Sequence, residues 1–268
     1  WGIIGAGAVC EVKSGPGFYK APGSRLIAIT KRNPEAAADF AKRHGVPKWY
    51  TDPAELISDE EIDAVYIATP PHLHASLGQE VLAAGKPVLL EKPMATTGAE
   101  CDALLQAAEF AGQPIWVAYY RRYLEKFVIL KRLIEEGRIG EPRSFLIDFS
   151  QPRSLFAPGD GGLPWRVKPK IAGGGIVADL GSHMLDLLDW LLGPVTSVSG
   201  HAANLAGDYP AEDIVVGRFI LASGVTGTAL WDFTSPLHRD RTIIRGSRGS
   251  VEYATYDDTP LILRHASG

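Results

Sequence analysis

Over residues 1–118 short apolar runs alternate with stretches whose apolar positions recur every three or four residues. The runs at 2–4, 25–30, 64–68, 87–90 and 114–118 are apolar at consecutive positions, as strands covered on both faces are. The stretches at 34–44, 72–84 and 98–111 read as amphipathic helices. Pro34 suits a first helical turn, and Gly45 and Gly85 suit the residue just past a helix end. This alternation predicts βαβ units and a parallel sheet. Past residue 119 the pattern changes. An amphipathic helix over 124–136 ends at Gly137, and strands then dominate, at 145–149, 195–202, 214–221, 225–233, 242–245 and 250–253. One helix, over 176–192, interrupts them. Strands with segregated helices predict an α+β unit on one large, open, mostly antiparallel sheet. Both ends read as cut. Trp1 already stands inside a strand, so a targeting segment would lie outside the sequence, and 261–268 reads as a strand that stops in a turn.

Composition narrows the function classes. Hydrophobic residues make up 46% of the 268, enough for a core in each of two domains. The net charge of −4 leaves no basic field for a phosphate polymer, so nucleic acid is not an expected partner. No apolar run reaches the roughly 18–20 residues of a membrane span. The two cysteines, Cys10 and Cys101, lie far apart without metal spacing and read as reduced thiols of a cytoplasmic enzyme. The long loop over 154–175, with Pro158, Gly159, Gly161, Gly162, Pro164 and the run Gly173-Gly174-Gly175, reads as functional.

Gly5-Ala6-Gly7-Ala8-Val9-Cys10 follows a strand and precedes a helix signal. Gly5 permits a tight turn, Gly7 lets backbone approach a pyrophosphate, and Ala8 and Val9 open the helix whose N–H groups would hold it. Cys10 replaces the third glycine of the usual pattern, which serves helix–strand packing. The alternative is a glycine turn in an unrelated α/β domain. The second strand ends in Thr30-Lys31-Arg32. An enzyme binding NAD typically places Asp or Glu there for the ribose hydroxyls, whereas cations attract a 2′-phosphate. NADP(H) is therefore the expected cofactor, with NAD possible; the alternative is a solvated basic turn. The fold expectation is α/β: an N-terminal Rossmann domain over 1–119 and a C-terminal α+β domain for substrate and oligomerisation over 120–268.

Three further segments carry a resemblance. They are Gly85-Lys86-Pro87-Val88-Leu89-Leu90-Glu91-Lys92-Pro93, the run from Gly173 through Asp179, Gly181 and His183 to Asp186, and Thr69-Pro70-Pro71-His72-Leu73-His74. With Arg138-Ile139-Gly140, Trp165-Arg166 and 246–250 they resemble the glucose–fructose oxidoreductase / inositol dehydrogenase / rhizopine-catabolism (Gfo/Idh/MocA) family over nearly the whole chain. The resemblance implies an active site between a Rossmann domain and an open-sheet domain, and a C-terminal part continuing beyond residue 268. It also implies that Thr69, Pro70, His74, Glu91 and Lys92 join the cofactor set, with His74 near the nicotinamide end. Lys92, Asp179 and His183 become the catalytic candidates, and Arg122, Trp165, Arg166 and His183 the substrate candidates.

The residue chemistry agrees. Lys92 follows a parallel strand, where open α/β sheets bind ligands. Asp179 and His183 stand four apart, so on an α-helix they share a face. His183 can move a proton near neutral pH, and Asp179 can fix its tautomer or meet substrate hydroxyls. Lys92 can stabilise an alkoxide or be the proton donor itself; the residues leave both open. Asp179 and His183 as a surface pair or as metal ligands is the alternative, and no metal is expected, since no further His or Cys stands at ligand spacing. Arg122, Trp165 and Arg166 have simple packing as their alternative, and His72 reads as an ordinary helix-start residue. Tyr119, Tyr120, Arg122 and Tyr123 read equally as hinge packing or pocket wall.

The expected function is hydride transfer between NADP(H) and a carbinol or carbonyl carbon of a small polyhydroxylated substrate, a sugar, cyclitol or dihydrodiol. The alternatives are a non-catalytic NAD(P)-sensing regulator on the same scaffold and a cofactor-cycling sugar lyase or hydrolase. Trp231 and Phe233 on one face of the strand over 225–233 suit a sheet-to-sheet contact in a homodimer or homotetramer. Alternatively they face the domain's own helices.

Overall fold

The computed structural model describes residues 1–155 and 162–265. Pro158, Gly159 and Gly161 of the long loop lie outside the described residues. The chain divides into two compact units, Trp1–Ala118 and Tyr119–Gly268.

The first unit runs β1 (Gly2–Ile4), α1 (Ala8–Val12), α2 (Gly15–Lys20), β2 (Ala28–Thr30), α3 (Pro34–His44), β3 (Lys48–Tyr50), α4 (Pro53–Ser58), β4 (Val65–Ile67), α5 (His74–Ala83), β5 (Val88–Leu90), α6 (Gly98–Ala111) and β6 (Ile115–Val117). Its six strands are all parallel in the order β3-β2-β1-β4-β5-β6, which reverses direction at β1. One face buries Ile3, Ile29 and Tyr66 against Cys10 and, from α3, Ala37 and Phe40. The other buries Ile4, Val65, Ile67 and Leu90 against Leu77 and Val81 of α5 and Leu104 of α6. Cover on both faces is why these strands read as unbroken apolar runs. The helix starts are built from local hydrogen bonds. Asn33 caps α3 by accepting from the Ala36 N–H, and Thr97 and Glu100 form a reciprocal capping box on α6.

The pattern does not announce β3 or α4. β3 is an edge strand of three residues with Trp49 41% exposed, so it shows neither alternation nor an apolar run. α4 did leave a signal, Asp52-Pro53: the Asp52 carboxylate accepts from the Ala54 N–H, with proline in the first turn.

The second unit contains α7 (Glu125–Glu135), β7 (Pro142–Ser150), α8 (Pro169–Ala172), α9 (Ser182–Leu192), β8 (Val195–Ala203), β9 (Ile214–Leu221), β10 (Thr226–Asp232), β11 (Arg239–Gly246), β12 (Gly249–Tyr253) and β13 (Ile262–His265). The strands form one open sheet, β13-β12-β11-β7-β10-β9-β8, antiparallel except between β7 and β10. α7 and α9 contribute to one core with one face of the sheet. It holds Phe127 and Leu130 of α7, Met184, Leu187 and Leu191 of α9, and Phe145, Phe149, Ala229 and Trp231 of the strands.

The structure corrects the motive for a sheet-to-sheet contact through Trp231 and Phe233. Both are 1% exposed and face the unit's own helices; the Trp231 indole N–H donates to Met184 Sδ at 3.2 Å. The strand alternation was visible, but a two-residue period does not say which face a helix covers. The uncovered face is the other one, with Val216, Ile220 and Leu230.

Trp231→Ala is expected to cost about 3–5 kcal/mol, and Leu230→Ala on the open face about 1 kcal/mol or less. Urea unfolding of the two variants checks the assignment; equal losses would contradict it.

Candidate active site

In the first unit the candidate residues stand at the carboxyl ends of β1, β2, β4 and β5. Backbone closes the glycine turn after β1: the Gly5 N–H donates to Thr30 Oγ1 at 3.1 Å, Ala6 N–H to Thr30 O, and Gly7 N–H to Gly5 O at 2.7 Å. Gly5 has φ +81°, and a Cβ there would fall 2.7 Å from Thr69 Cγ2. Thr30 is 3% exposed and its hydroxyl oxygen accepts from the turn, so it braces the glycine loop.

A Cβ at Gly7 would meet only Gly5 O, at 3.8 Å, so the backbone there borders open space. Cys10 lies fully buried behind it, and burial pushes its thiol up to about 11. The backbone of Gly15 crosses so close that a Cβ would fall 2.0 Å from Cys10 O. Ala8 and Val9, in the first turn of α1, complete the loop with no side-chain cap at Gly7. The buried Thr69 hydroxyl has no hydrogen-bond partner among the described residues. The open backbone at Gly7, the uncapped helix start and this orphaned hydroxyl fit a dinucleotide. Past β2, the Lys31 ammonium rests over the Phe40 ring, 5.0 Å from its centroid, and Arg32 is exposed.

After β4, Thr69 and Pro70 lead through a 3₁₀ turn, Pro71–Leu73, into α5. His74 is fully buried, with Nδ1 2.9 Å from Pro93 O and Nε2 2.8 Å from Thr69 O. It thus ties two loops together from inside the protein, and both its ring nitrogens face backbone carbonyls. Burial lowers its pKa. A neutral imidazole has one N–H and donates to one of these carbonyls at a time. After β5, Glu91 accepts from the Tyr66 hydroxyl at 2.5 Å through Oε1 and from the Lys92 N–H at 3.2 Å through Oε2. Burial and the Glu91 carboxylate push the Tyr66 phenol far above the ordinary tyrosine range, so it stays a donor. Lys92 follows, joined to Pro93 by a cis peptide bond.

In the second unit, Asp179 lies in a π turn, Val177–Gly181, that runs into α9. The expected continuous α-helix over 176–192 is corrected to this extent. No sequence signal marks the wider turn, a feature frequent at functional sites. Gly181 permits it to sit against the sheet, since a Cβ there would fall 3.3 Å from the Trp231 ring. Arg166 donates to Asp179 Oδ2 at 2.8 Å, and its guanidinium lies 4.6 Å from the Trp165 ring centroid. His183 is 4% exposed, met edge-on by the rings of Tyr119 and Tyr120 at 5.7 Å and Tyr256 at 6.3 Å. Tyr123, by contrast, is 87% exposed.

Arg122 faces the unit's own core. Its guanidinium donates to both oxygens of Asp186, the closest contact 2.5 Å, and that carboxylate is buried. It holds Asp186, one turn beyond His183.

Three residues outside the candidate set build this site. The Tyr256 hydroxyl donates to Leu180 O at 2.5 Å, and its ring carries the Arg121 guanidinium at 4.3 Å. The Asp240 carboxylate accepts from the N–H groups of Thr255, Tyr256 and Asp257. Glu212 accepts from the Gly175 N–H at 2.7 Å, and a Cβ on Gly175 would fall 2.8 Å from Glu212 O, which explains a glycine there. Nothing local marks these residues, because their partners lie 15 to 76 positions away. Only Asp186, inside the Gly173–Asp186 motif, was within sight of the sequence.

Comparison with known proteins follows the same division. Residues 1–119 match the GFO_IDH_MocA model, described as an oxidoreductase family with an NAD-binding Rossmann fold. Residues 127–252 match the GFO/IDH/MocA C-terminal domain. The chain is 36% identical over 259 residues to Oxidoreductase P35 of Formosa agariphila, spanning 97% of this chain and 80% of that protein. It is 30% identical over 257 residues to the 1,5-anhydro-D-fructose reductase of Ensifer adhaerens, spanning 94% of this chain and 74% of that protein. Among solved structures it resembles levoglucosan dehydrogenase in complex with NADH and levoglucosan, with a TM-score of 0.87 at 29% identity, covering 100% of this chain and 76% of that one.

Arg122→Ala is expected to destabilise the protein by about 3–5 kcal/mol at pH 8, because it strands a buried charge. Burial already raises the pKa of Asp186 against the opposing effect of Arg122. A carboxyl whose folded pKa is raised binds its proton more readily folded than unfolded, so the deficit should shrink as pH falls towards 5. Unfolding midpoints of wild type and variant at the two pH values test this; a deficit that grows on acidification would contradict it.

Proposed function

The chain belongs to the Gfo/Idh/MocA family and is an NAD(P)-dependent oxidoreductase of CH–OH groups, and on that premise we propose that it transfers hydride between NADP(H) and a carbinol or carbonyl carbon of a small, neutral, polyhydroxylated substrate. Pairing of charge supports the neutral substrate class. Both arginines expected to meet substrate are compensated, Arg122 by Asp186 and Arg166 by Asp179, so the second unit offers hydroxyl recognition more than a bare cation for a carboxylate. A carboxylate accepts through two oxygens, which is the chemistry that hydroxyl recognition asks of Asp179.

When bound, a nicotinamide cofactor would supply the hydride chemistry. Gly5, Gly7, Ala8 and Val9 would hold the pyrophosphate, and Thr69, Pro70, Glu91 and Lys92 the loops nearer the reacting ring. His183 moves the proton at the substrate oxygen, with Asp179 orienting hydroxyls. Lys92 donates a hydrogen bond to the reacting oxygen and stabilises the charge that develops there. Preference for the 2′-phosphate rests on Lys31 and Arg32. Both are cations, and neither can accept a hydrogen bond from a ribose hydroxyl. We further infer a homodimer or homotetramer, the open sheet face with Val216, Ile220 and Leu230 being the surface available for it.

Lys92→Met and His183→Ala should each lower turnover about a hundredfold or more, followed at 340 nm with levoglucosan, 1,5-anhydro-D-fructose, inositols and the corresponding uronates. Unchanged turnover in either variant, or uronates as the best substrates, would overturn the assignment.

For the cofactor, fluorescence titration should give NADPH the tighter dissociation constant by about ten- to a hundredfold, 1.4 kcal/mol being a factor of ten. The double substitution Lys31→Asp, Arg32→Ala should reverse the order. Equal constants, or tighter NADH, would show that the two cations do not read the phosphate.

A further inference from the structure

The sheet of the first unit carries, just beyond β5, a turn whose two flanks are anchored from opposite layers. We propose that Tyr66 and His74 are positioning residues that clamp the Glu91-Lys92-Pro93 turn from the two faces of the sheet and so set the place of the Lys92 ammonium. This deepens the function proposed above and rests on its assignment of Lys92.

The register makes the first anchor. Tyr66 stands opposite Leu89 across the β4–β5 pair. Glu91 is two positions beyond Leu89, so its side chain leaves on the face that Tyr66 and Leu89 share. That face is the one packed against Cys10 and α3. The Tyr66 ring is fully buried, and its hydroxyl donates to Glu91 Oε1 at 2.5 Å while standing 3.1 Å from Ser14 Oγ. Ser14 precedes α2 and its hydroxyl reaches back to Val9 O, so the network also touches α1, the helix that follows the glycine turn.

The second anchor comes from the other layer. His74 begins α5, whose Leu77 and Val81 pack on the opposite face with Ile67 and Leu90. Its ring stands 2.9 Å from Pro93 O and 2.8 Å from Thr69 O, which joins the lysine turn to the loop after β4. Lys92 thus lies between a carboxylate fixed from one side and a carbonyl fixed from the other. The burial of His74, with each ring nitrogen facing a backbone carbonyl, leaves it unsuited to touch a substrate, and suited to hold a loop. Misplacing a catalytic group by about 1 Å costs on the order of a hundredfold in rate, so the rigidity of this turn bears directly on turnover.

Two variants and one background test the clamp. Tyr66→Phe removes a single oxygen and preserves the ring; His74→Asn shortens the second brace. Hydrogen exchange of the ligand-free protein is expected to quicken about tenfold at residues 91–94 in each variant, with β4 and α5 unchanged. Turnover with levoglucosan or 1,5-anhydro-D-fructose, whichever is used by the wild type, should fall about tenfold in kcat, with KM within about twofold. In a Lys92→Met background the same substitutions should cause no further loss, because the group they position is gone. If Lys92→Met itself keeps full turnover, the function assigned to Lys92 fails. If Lys92→Met is impaired but Tyr66→Phe and His74→Asn match the wild type in exchange and kcat, the clamp is overturned. Equal losses in both backgrounds, with exchange quickened throughout the sheet, would also overturn it, since that is the signature of general destabilisation.

Discussion

The chemistry of the first unit depends on the in-register parallel pairing of β1, β4, β5 and β6. Ile4, Ile67 and Leu90 stand side by side, with Leu90 next to Val117. The bonds that continue the ladder run from Ala68 N–H to Ile4 O, from Glu91 N–H to Ile67 O and from Ala118 N–H to Leu90 O. This alignment sets the glycine turn, the Thr69-Pro70 loop and the Glu91-Lys92 turn in one row along the same sheet edge. A slip of one residue in β5 would send Glu91 to the opposite face, away from Tyr66, because side chains alternate with a period of two. Buried apolar residues on both faces fix the register, so the cores on either side are also what orders the site.

The second unit solves a different problem. Its sheet has helices on one face only, and α9 brings Asp179 and His183 to its beginning through a π turn. Trp231 and Met184 lock the helix to the sheet. Charge is then managed in pairs: Arg122 with Asp186 and Arg166 with Asp179. Each pair holds a carboxylate in place while removing net charge. Around His183 the protein supplies aromatic edges from three tyrosines. Two come from the 119–123 segment and one from Tyr256, itself held by Asp240 through the backbone of its loop.

The sequence by itself determined what local rules encode. Doubly covered strands announced themselves as apolar runs, and helix ends as proline, glycine and capping residues. The glycine turn, the Glu91-Lys92-Pro93 turn and the Asp179–His183 stretch are each contiguous, so their chemistry is legible in the order of residues alone. Partners distant in the chain were not. The tertiary structure alone decided that Thr30 braces the loop, that Arg122 serves Asp186, that Trp231 and Phe233 point inward, and that Tyr66, Glu212, Asp240 and Tyr256 support the site. The reason is physical. A periodicity fixes which residues share a face but not what that face meets, and a polar side chain names its chemistry but not its partner. Both are settled only when segments tens of residues apart pack together and most buried polar groups find a bond.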